Sequence, residues 1–243
     1  LEKLLKAQKQ KQFGPKVEFS ALVPNEKGFA DAKEVGLKTI AIFGAVSETF
    51  SQKNINCSVD ESFVRFKNVV KMAKKEKMKV RGYVSTVFGC PYEGKIKPAK
   101  ALEVIQRYFD LGVYELSIGD TIGVATPKQV REILGPLEKA KKISKVAMHF
   151  HDTRGTALAN ILASLDFDVK SFDSSLGGLG GCPYAPGAAG NVATEDVVYM
   201  LEGMGLKTGL DLDKLLRTTE WMSGQLGRKL NSRVSQAGRS CIY

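Results

Sequence analysis

The sequence predicts an α/β fold, a TIM or (β/α)8 barrel of which six βα units are present in 243 residues. Apolar, β-branched segments alternate with amphipathic helical segments six times, and each crossover helix requires a parallel sheet. No GxGxxG motif follows the first strand, which argues against an open dinucleotide-binding sheet. The unusual polar residues stand at strand ends, where barrel enzymes carry their function.

Six segments have the length and composition of β-strands. They are residues 17–23, 39–46, 79–88, 113–120, 145–152 and 171–178. The segments between them carry helix signals. Ser58 and Glu61 form a capping box ahead of an apolar stripe, and Gly112 follows the helical segment 101–111 as a stop signal. The strand and helix signals therefore agree on a repeated βα order.

We interpret residues 1–243 as one domain with a helical C-terminal segment from about residue 206. A chain of this length buries a substantial core. Six units are two fewer than a closed barrel needs, and a six-stranded arc would expose two sheet edges. We therefore expect that another chain completes the barrel or that the sequence is part of a longer polypeptide.

Charge, hydropathy and cysteine spacing exclude several function classes. The net charge is +10, but the lysines are spread over helical stretches without interleaved aromatic residues, so we predict no nucleic-acid partner. No apolar run approaches the length that spans a bilayer, so we predict no membrane role. The four cysteines show no CxxC spacing, which favours free thiols over zinc ligands.

The two histidines of the chain lie together in the segment HFHD, as His149 and His151. Residues at i and i+2 of a strand point to the same face of the sheet. Two imidazoles near a barrel mouth are able to share one metal ion, and Asn191, one strand later, offers an amide oxygen. A pair of satisfied buried histidines is the alternative that the residues alone leave open.

Polar residues on two other strands are further candidates. Asp120 ends the strand ELSIGD. A carboxylate at this position is able to bind metal, to orient a ligand or to move a proton, and the alternative is that it starts a turn. Arg81 and Tyr83 alternate along one strand and share a face. Long polar groups inside a barrel need partners, which predicts either a bound anion or mutual hydrogen bonding within the core.

The glycine-rich segment SLGGLGGCPYAPGAAGN, residues 175–191, surrounds Cys182. Its glycines allow the backbone to fold over a ligand and carry the thiol with it. A flexible loop with an unreactive thiol is the alternative. The residues alone do not decide between these two interpretations.

Several motifs together resemble the 3-hydroxy-3-methylglutaryl-CoA lyase-like family of metal-dependent TIM-barrel enzymes. They are IAIFGAVSETFSQKNINCS, VRGYVSTVFGCPYEGKI, ELSIGDTIGVATP, HFHDTRGTALAN and DSSLGGLGGCPYAPGAAGNVATEDVVYMLEGMG. The resemblance runs from residue 23 to about residue 235. It implies a carbon–carbon lyase that cleaves 3-hydroxy-3-methylglutaryl-CoA (HMG-CoA) to acetyl-CoA and acetoacetate, in ketone-body formation and leucine degradation.

The resemblance also implies site residues, a cofactor and partners. His149, His151 and Asn191 match the family's metal ligands, for Mg²⁺ or Mn²⁺. The other implied roles are catalytic for Cys182, Asp120 and His149, and substrate-binding for Arg81, Tyr83 and Asn54. A CoA thioester substrate and a homodimer are implied as well. The implied location is the mitochondrial matrix in a eukaryote and the cytoplasm otherwise.

One departure from the family concerns the motif RDGLQNE of its first strand, which these 243 residues do not contain. That motif supplies an arginine and an aspartate to the family's active site. We therefore expect these units to be the third to the eighth of an N-terminally incomplete barrel, with little or no activity alone. The alternative is an inactive, truncated or remnant barrel that acts only as a subunit or interaction partner. A related condensing enzyme is disfavoured by the cysteine loop.

Overall fold

A computed structural model describes residues 17–180 and 190–238 of the chain. The strands in these ranges are β1 Ser20–Leu22, β2 Thr39–Ala45, β3 Lys79–Ser85, β4 Gly89–Cys90, β5 Gly94–Lys95, β6 Glu115–Asp120, β7 Val146–Phe150 and β8 Ser171–Asp173. The helices are α1 Glu26–Glu34, α2 Glu48–Ile55, α3 Val59–Lys75, α4 Pro98–Leu111, α5 Pro127–Lys139, α6 Ala157–Leu165, α7 Thr194–Gly203, α8 Leu212–Leu226 and α9 Arg233–Ala237. Among these helices, none combines the length and the apolar character needed to cross a bilayer.

Six of the strands form one parallel sheet in the order β1-β2-β3-β6-β7-β8. Strands that follow one another across a helix are therefore neighbours in the sheet, as the βα alternation predicted. In the part of the chain that the structure describes, β1 and β8 are the two outer strands. The prediction of six parallel strands is confirmed.

The sheet curls around an interior. In a flat sheet, strands three positions apart are separated by about 14 Å. Arg81 on β3 nevertheless forms an ion pair with Asp173 on β8, with 2.9 Å between Nη2 and Oδ1. Side chains from the two strands meet only if the sheet bends towards them, so this α/β fold is a half-barrel with a concave polar face.

The convex face of the sheet packs against the helices. Ile118, Met148 and Phe150 are fully buried there, in one apolar core with Phe66 of α3 and Leu134 of α5. Full burial of such side chains contributes roughly 1.5 to 3 kcal/mol each. Because residues alternate along a strand, the packing of Met148 and Phe150 against helices directs His149 to the opposite, concave face.

Local sequence signals account for the helix ends. The Ser58 hydroxyl accepts from the Glu61 backbone N–H at 3.1 Å, and the Glu61 carboxylate accepts from the Ser58 N–H at 2.7 Å, so the predicted capping box is present. Gly112 ends α4 with a φ of 83°, a left-handed conformation that glycine adopts without strain. Both predicted helix boundaries are confirmed.

Two segments differ from their predicted structure. The predicted strand 171–178 ends at Asp173, and Leu176–Gly178 forms a 3-10 turn. The positive φ angles of Gly177 and Gly178 lie outside the β region, so the last residues of the predicted segment do not continue the strand. The predicted strand 79–88 ends at Ser85, and the short antiparallel hairpin of β4 and β5 follows it.

Candidate functional site

The concave face of the sheet surrounds a cavity of about 460 Å³. A cavity of this size accommodates a small molecule or the reactive end of a larger one. Its lining comes from β1, β2, β3, β6, β7 and the segments that follow β6 and β7: Ser20, Ala21, Leu22, Ala41, Phe43, Tyr83, Val84, Ser85, Ser117, Gly119, Thr121, His149 and His151. Both histidines therefore lie in the cavity wall, on the face that the i, i+2 spacing predicted.

The two imidazoles are neighbours with different environments. Their ring centroids are 5.3 Å apart. His149 Nδ1 lies 3.3 Å from Asp173 Oδ2, whereas His151 Nδ1 is buried without a hydrogen-bond partner among the described residues. Burial, with the positive charge of a protonated His149, lowers the pKa of His151 to about 4. His151 is therefore a neutral imidazole near pH 7, which is the form that binds metal ions.

Asn191 lies beside His151. The two residues pair in an antiparallel bridge, and the flanking backbone bond from Val192 N–H to the Phe150 carbonyl measures 3.2 Å. The Asn191 amide donates from Nδ2 to the Leu179 carbonyl at 3.0 Å, which leaves its oxygen available as an acceptor or metal ligand. The structure thus brings the third predicted ligand next to the histidine pair.

The donor set of His149, His151 and Asn191 fits a divalent cation. A buried polar atom without a partner costs roughly 1 to 3 kcal/mol, and a bound ligand at His151 would remove that cost. In residues 17–180 and 190–238, no three His, Cys, Asp or Glu side chains form a cluster able to hold a metal ion. Among the described residues, a metal ion held by the two histidines would therefore take the amide oxygen of Asn191 as a third protein ligand.

Arg81 is bonded to protein groups at all three of its nitrogens. Nε donates to Glu115 at 2.6 Å, Nη2 donates to Asp173 at 2.9 Å, and Nη1 donates to the Tyr83 hydroxyl. Burial alone would lower the pKa of Arg81, but the carboxylate of Asp173 raises it above its ordinary value. Of the two alternatives left by the sequence, the structure shows mutual hydrogen bonding within the core for Arg81 and Tyr83.

Asp173 is a central residue that sequence reasoning missed. Its Oδ2 accepts from the Ser117 hydroxyl at 2.6 Å in addition to its contact with His149. Burial alone would raise the pKa of Asp173, but the hydrogen bond from His149 and the charge of Arg81 lower it to about 2. The one signal in the sequence was strand alternation, which places Asp173 and Ser171 on one face of β8. Because Asp173 is the register partner of His149, that face is the concave one.

Asp120 lies outside this cluster. It is on the face of β6 opposite to Ser117 and Gly119, and it is fully buried. Its carboxylate accepts from the backbone N–H groups of Val124 at 2.9 Å and Ala125 at 3.1 Å. Burial outweighs these bonds and raises the pKa of Asp120 to about 6. Asp120 therefore stabilises the loop that follows β6, and it is not among the residues that line the cavity.

Two predicted site residues remain, Asn54 and Cys182. Asn54 is exposed on α2 and is not among the lining residues. Cys182 lies outside the described residues. The glycines on either side of that gap are close together, because a Cβ added to Gly190 would lie 1.7 Å from the Gly180 carbonyl oxygen. The backbone thus leaves and re-enters the described fold at one point next to Asn191.

Comparisons with known proteins agree with this architecture. The HMGL-like family model matches residues 5–222. The mitochondrial hydroxymethylglutaryl-CoA lyase of Bos taurus is 52% identical over 223 residues, which are 92% of this chain and 69% of the relative. The cytoplasmic 3-hydroxy-3-methylglutaryl-CoA lyase of Danio rerio is 50% identical over 226 residues, 93% of this chain and 68% of the relative.

Solved structures give the same result. The hydroxymethylglutaryl-CoA lyase of Pseudomonas aeruginosa superposes with a TM-score of 0.88 at 46% identity, covering 93% of this chain and 75% of that one. An HMG-CoA lyase from Acinetobacter baumannii, in complex with coenzyme A and 3-methylmalate, gives a TM-score of 0.89 at 35% identity, covering 95% and 75%. The chain therefore belongs to the HMGL-like family.

Proposed function

We propose that this chain carries the active-site residues of a hydroxymethylglutaryl-CoA lyase, which cleaves HMG-CoA to acetyl-CoA and acetoacetate. The observation that carries the proposal is the placement of His149 and His151 in one cavity wall, with Asn191 paired to His151, in a chain 52% identical to the bovine lyase. An inactive remnant is less well supported, because the chain keeps all three of these residues.

The reaction breaks the bond between C2 and C3 of the acyl group. A base removes the proton of the C3 hydroxyl, and the oxygen becomes the ketone of acetoacetate as the bond breaks. The electron pair of that bond stays on C2, next to the thioester carbonyl, as an enolate. Protonation of C2 then gives acetyl-CoA. The site must therefore provide one proton acceptor and one proton donor.

We propose His149, His151 and Asn191 as the protein ligands of Mg²⁺ or Mn²⁺. When bound, such an ion acts as a Lewis acid that makes a coordinated hydroxyl easier to deprotonate. The neutral state of His151 near pH 7 supports this assignment. The available oxygen of Asn191 suits a hard cation.

Proton transfer is assigned to His149, Asp120 and Cys182. Asp120 has a pKa of about 6, which is suitable for a base near neutral pH, although its carboxylate also accepts from the backbone N–H groups of Val124 and Ala125. His149 is the alternative base, provided that its free nitrogen does not bind the metal. Cys182 is proposed to protonate the enolate, directly or through water. Its support is its place in the family's glycine loop.

Arg81, Tyr83 and Asn54 are proposed to act on the acyl group in different ways. Tyr83 lines the cavity, so it contacts what binds there. Arg81 acts through the groups that it holds, because its nitrogens are bonded to protein. Asn54 has the weakest support, since it is exposed on α2.

We further propose a complete (β/α)8 barrel in which the six sheet strands are the third to the eighth, and a homodimer as the assembly. A CoA thioester is the proposed substrate class, supported by the coenzyme A complex of the Acinetobacter relative. The mitochondrial matrix is the proposed location in a eukaryote and the cytoplasm otherwise, because the bovine relative is named mitochondrial and the zebrafish relative cytoplasmic.

The test is an acetoacetate assay with HMG-CoA and Mn²⁺, run on residues 1–243 alone and with an added segment that contains RDGLQNE. We expect product in the second arm, its loss with EDTA, and its loss in His151→Ala. Tyr114→Phe, at an exposed position just before β6 and outside the cavity lining, is the control and should keep full activity. Product in neither arm contradicts the proposed function, whereas full activity of 1–243 alone contradicts only the expectation of incompleteness.

A further inference from the structure

Three strands direct hydrogen-bond donors at the carboxylate of Asp173. Arg81 on β3 donates to Oδ1 at 2.9 Å, and Ser117 on β6 donates to Oδ2 at 2.6 Å. His149 on β7 places Nδ1 3.3 Å from the same Oδ2. The Asp173 side chain is 19% exposed. Its position is therefore fixed by contacts on both oxygens, and His149 is the one partner with two possible tautomers.

The carboxylate decides which imidazole nitrogen carries the proton. An ionised carboxylate accepts hydrogen bonds and donates none, so the contact with His149 requires a proton on Nδ1. The lone pair of the imidazole is then on Nε2. We infer that Asp173 is a positioning residue that fixes the tautomer of His149 and makes Nε2 its metal-binding nitrogen; this inference rests on the proposed metal site.

This assignment limits what His149 can do. With Nδ1 bonded to Asp173, a single nitrogen remains for chemistry. That nitrogen serves either as a metal ligand or as a proton acceptor, and it cannot do both at the same time. If His149 binds the metal, the base must be another group.

Replacing Asp173 by asparagine reverses the tautomer for a geometric reason. Arg81 offers only donors, so the amide of an asparagine turns its oxygen towards the guanidinium. Its NH₂ group then occupies the position of Oδ2, next to His149 Nδ1. A donor at that position bonds to an unprotonated Nδ1, which moves the imidazole proton to Nε2 and blocks the nitrogen needed for the metal.

Glu115→Gln is the matched control for Asp173→Asn. Glu115 is also a carboxylate partner of Arg81, at 2.6 Å, and its replacement changes the net charge by the same amount. Glu115 also accepts from the Ser171 hydroxyl at 2.7 Å, whereas the Nδ1 of His149 contacts Asp173. A difference between the two variants therefore reports on His149 and not on the charge of the cluster.

The experiment measures the ¹⁵N chemical shifts of both imidazoles at pH 8 in the metal-free chain, with His151→Asn to assign them. The same samples are titrated with Mn²⁺, and binding is followed by electron paramagnetic resonance. We expect the His149 proton on Nδ1 in the wild type and in Glu115→Gln, and on Nε2 in Asp173→Asn. Asp173→Asn should weaken Mn²⁺ binding by roughly 10- to 100-fold, and Glu115→Gln should leave it near the wild-type value.

A wild-type His149 with its proton on Nε2 overturns the inference, and this measurement remains possible if Asp173→Asn fails to fold. Equal Mn²⁺ affinities for Asp173→Asn and Glu115→Gln also overturn it while the proposed lyase function stands. A wild-type chain that binds no Mn²⁺ in the presence of the RDGLQNE segment contradicts the proposed metal site itself, which separates the two failures.

Discussion

Asp173 and Asp120 are two carboxylates of low exposure on strands of the same sheet, and they differ in the face that they occupy. Asp173 is on the concave face among charged and hydroxyl donors, and its pKa is lowered to about 2. Asp120 is on the helix side, where burial dominates and raises its pKa to about 6. The face of the strand, more than the depth of burial, therefore decides how each carboxylate titrates.

The largest expected effect comes from replacing each aspartate by asparagine and measuring urea unfolding at pH 7 without metal. Asp173→Asn should lower the free energy of unfolding by about 2 kcal/mol, because Arg81 stays buried with one charged partner fewer. Asp120→Asn should stay within about 1 kcal/mol of the wild type, because release of a buried charge offsets a lost hydrogen bond. Equal losses in the two variants would contradict the contrast between the faces.

The second effect is a pH dependence of opposite sign at the two sites. Asp173 has a folded-state pKa of about 2, below its ordinary value of 3.8, so its stabilisation is complete above about pH 4 and is lost as the pH falls towards about 2. Asp120 has a folded-state pKa of about 6, so the folded chain binds that proton more tightly than the unfolded chain does. Its contribution to stability therefore falls as the pH rises from about 4 to about 6.

Each pH effect should amount to about 2 kcal/mol and is measured as the difference in unfolding free energy between the wild type and the corresponding asparagine variant. The difference for Asp173→Asn should change between about pH 2 and pH 4, and that for Asp120→Asn between about pH 4 and pH 6. The variants control for each other, since each should be flat in the other's range. A change of the same sign in both would show that the assignments are wrong.

The smallest expected effect concerns Tyr83, whose hydroxyl accepts from Arg81. Tyr83→Phe removes the hydrogen bond from Arg81 to the hydroxyl and should lower the free energy of unfolding by about 1 kcal/mol, measured by thermal or urea unfolding. The proton of His149 should remain on Nδ1, because Asp173 keeps its hydrogen bonds from Arg81 and Ser117. Loss of the Nδ1 proton in this variant would show that the cluster responds as a unit.

Local rules predicted the fold and part of the site. The alternation of strand and helix signals gave six parallel strands in their observed order, and the i, i+2 spacing placed His149 and His151 on the concave face. The same alternation, applied to β6 from Ser117, would have directed Asp120 to the helix side. The prediction for Asp120 followed its position at the end of the strand and did not consider which face it occupies.

The role of Asp173 could not be predicted from local sequence. Its partners are 92, 56 and 24 residues away along the chain, on Arg81, Ser117 and His149. They meet because the sheet curls, and the curvature depends on all strands together. For the same reason the sequence left open whether Arg81 binds an anion or bonds within the core.

The pairing of Arg81 has a consequence for the order in which ligands bind. Two carboxylates, Glu115 and Asp173, surround one guanidinium, so these three side chains carry one formal negative charge in excess beside the two imidazoles. Such a surface attracts a cation and repels the free carboxylate of an acyl-CoA. The divalent cation should therefore bind before the acyl-CoA. The apparent affinity for the thioester should then rise with the concentration of divalent salt.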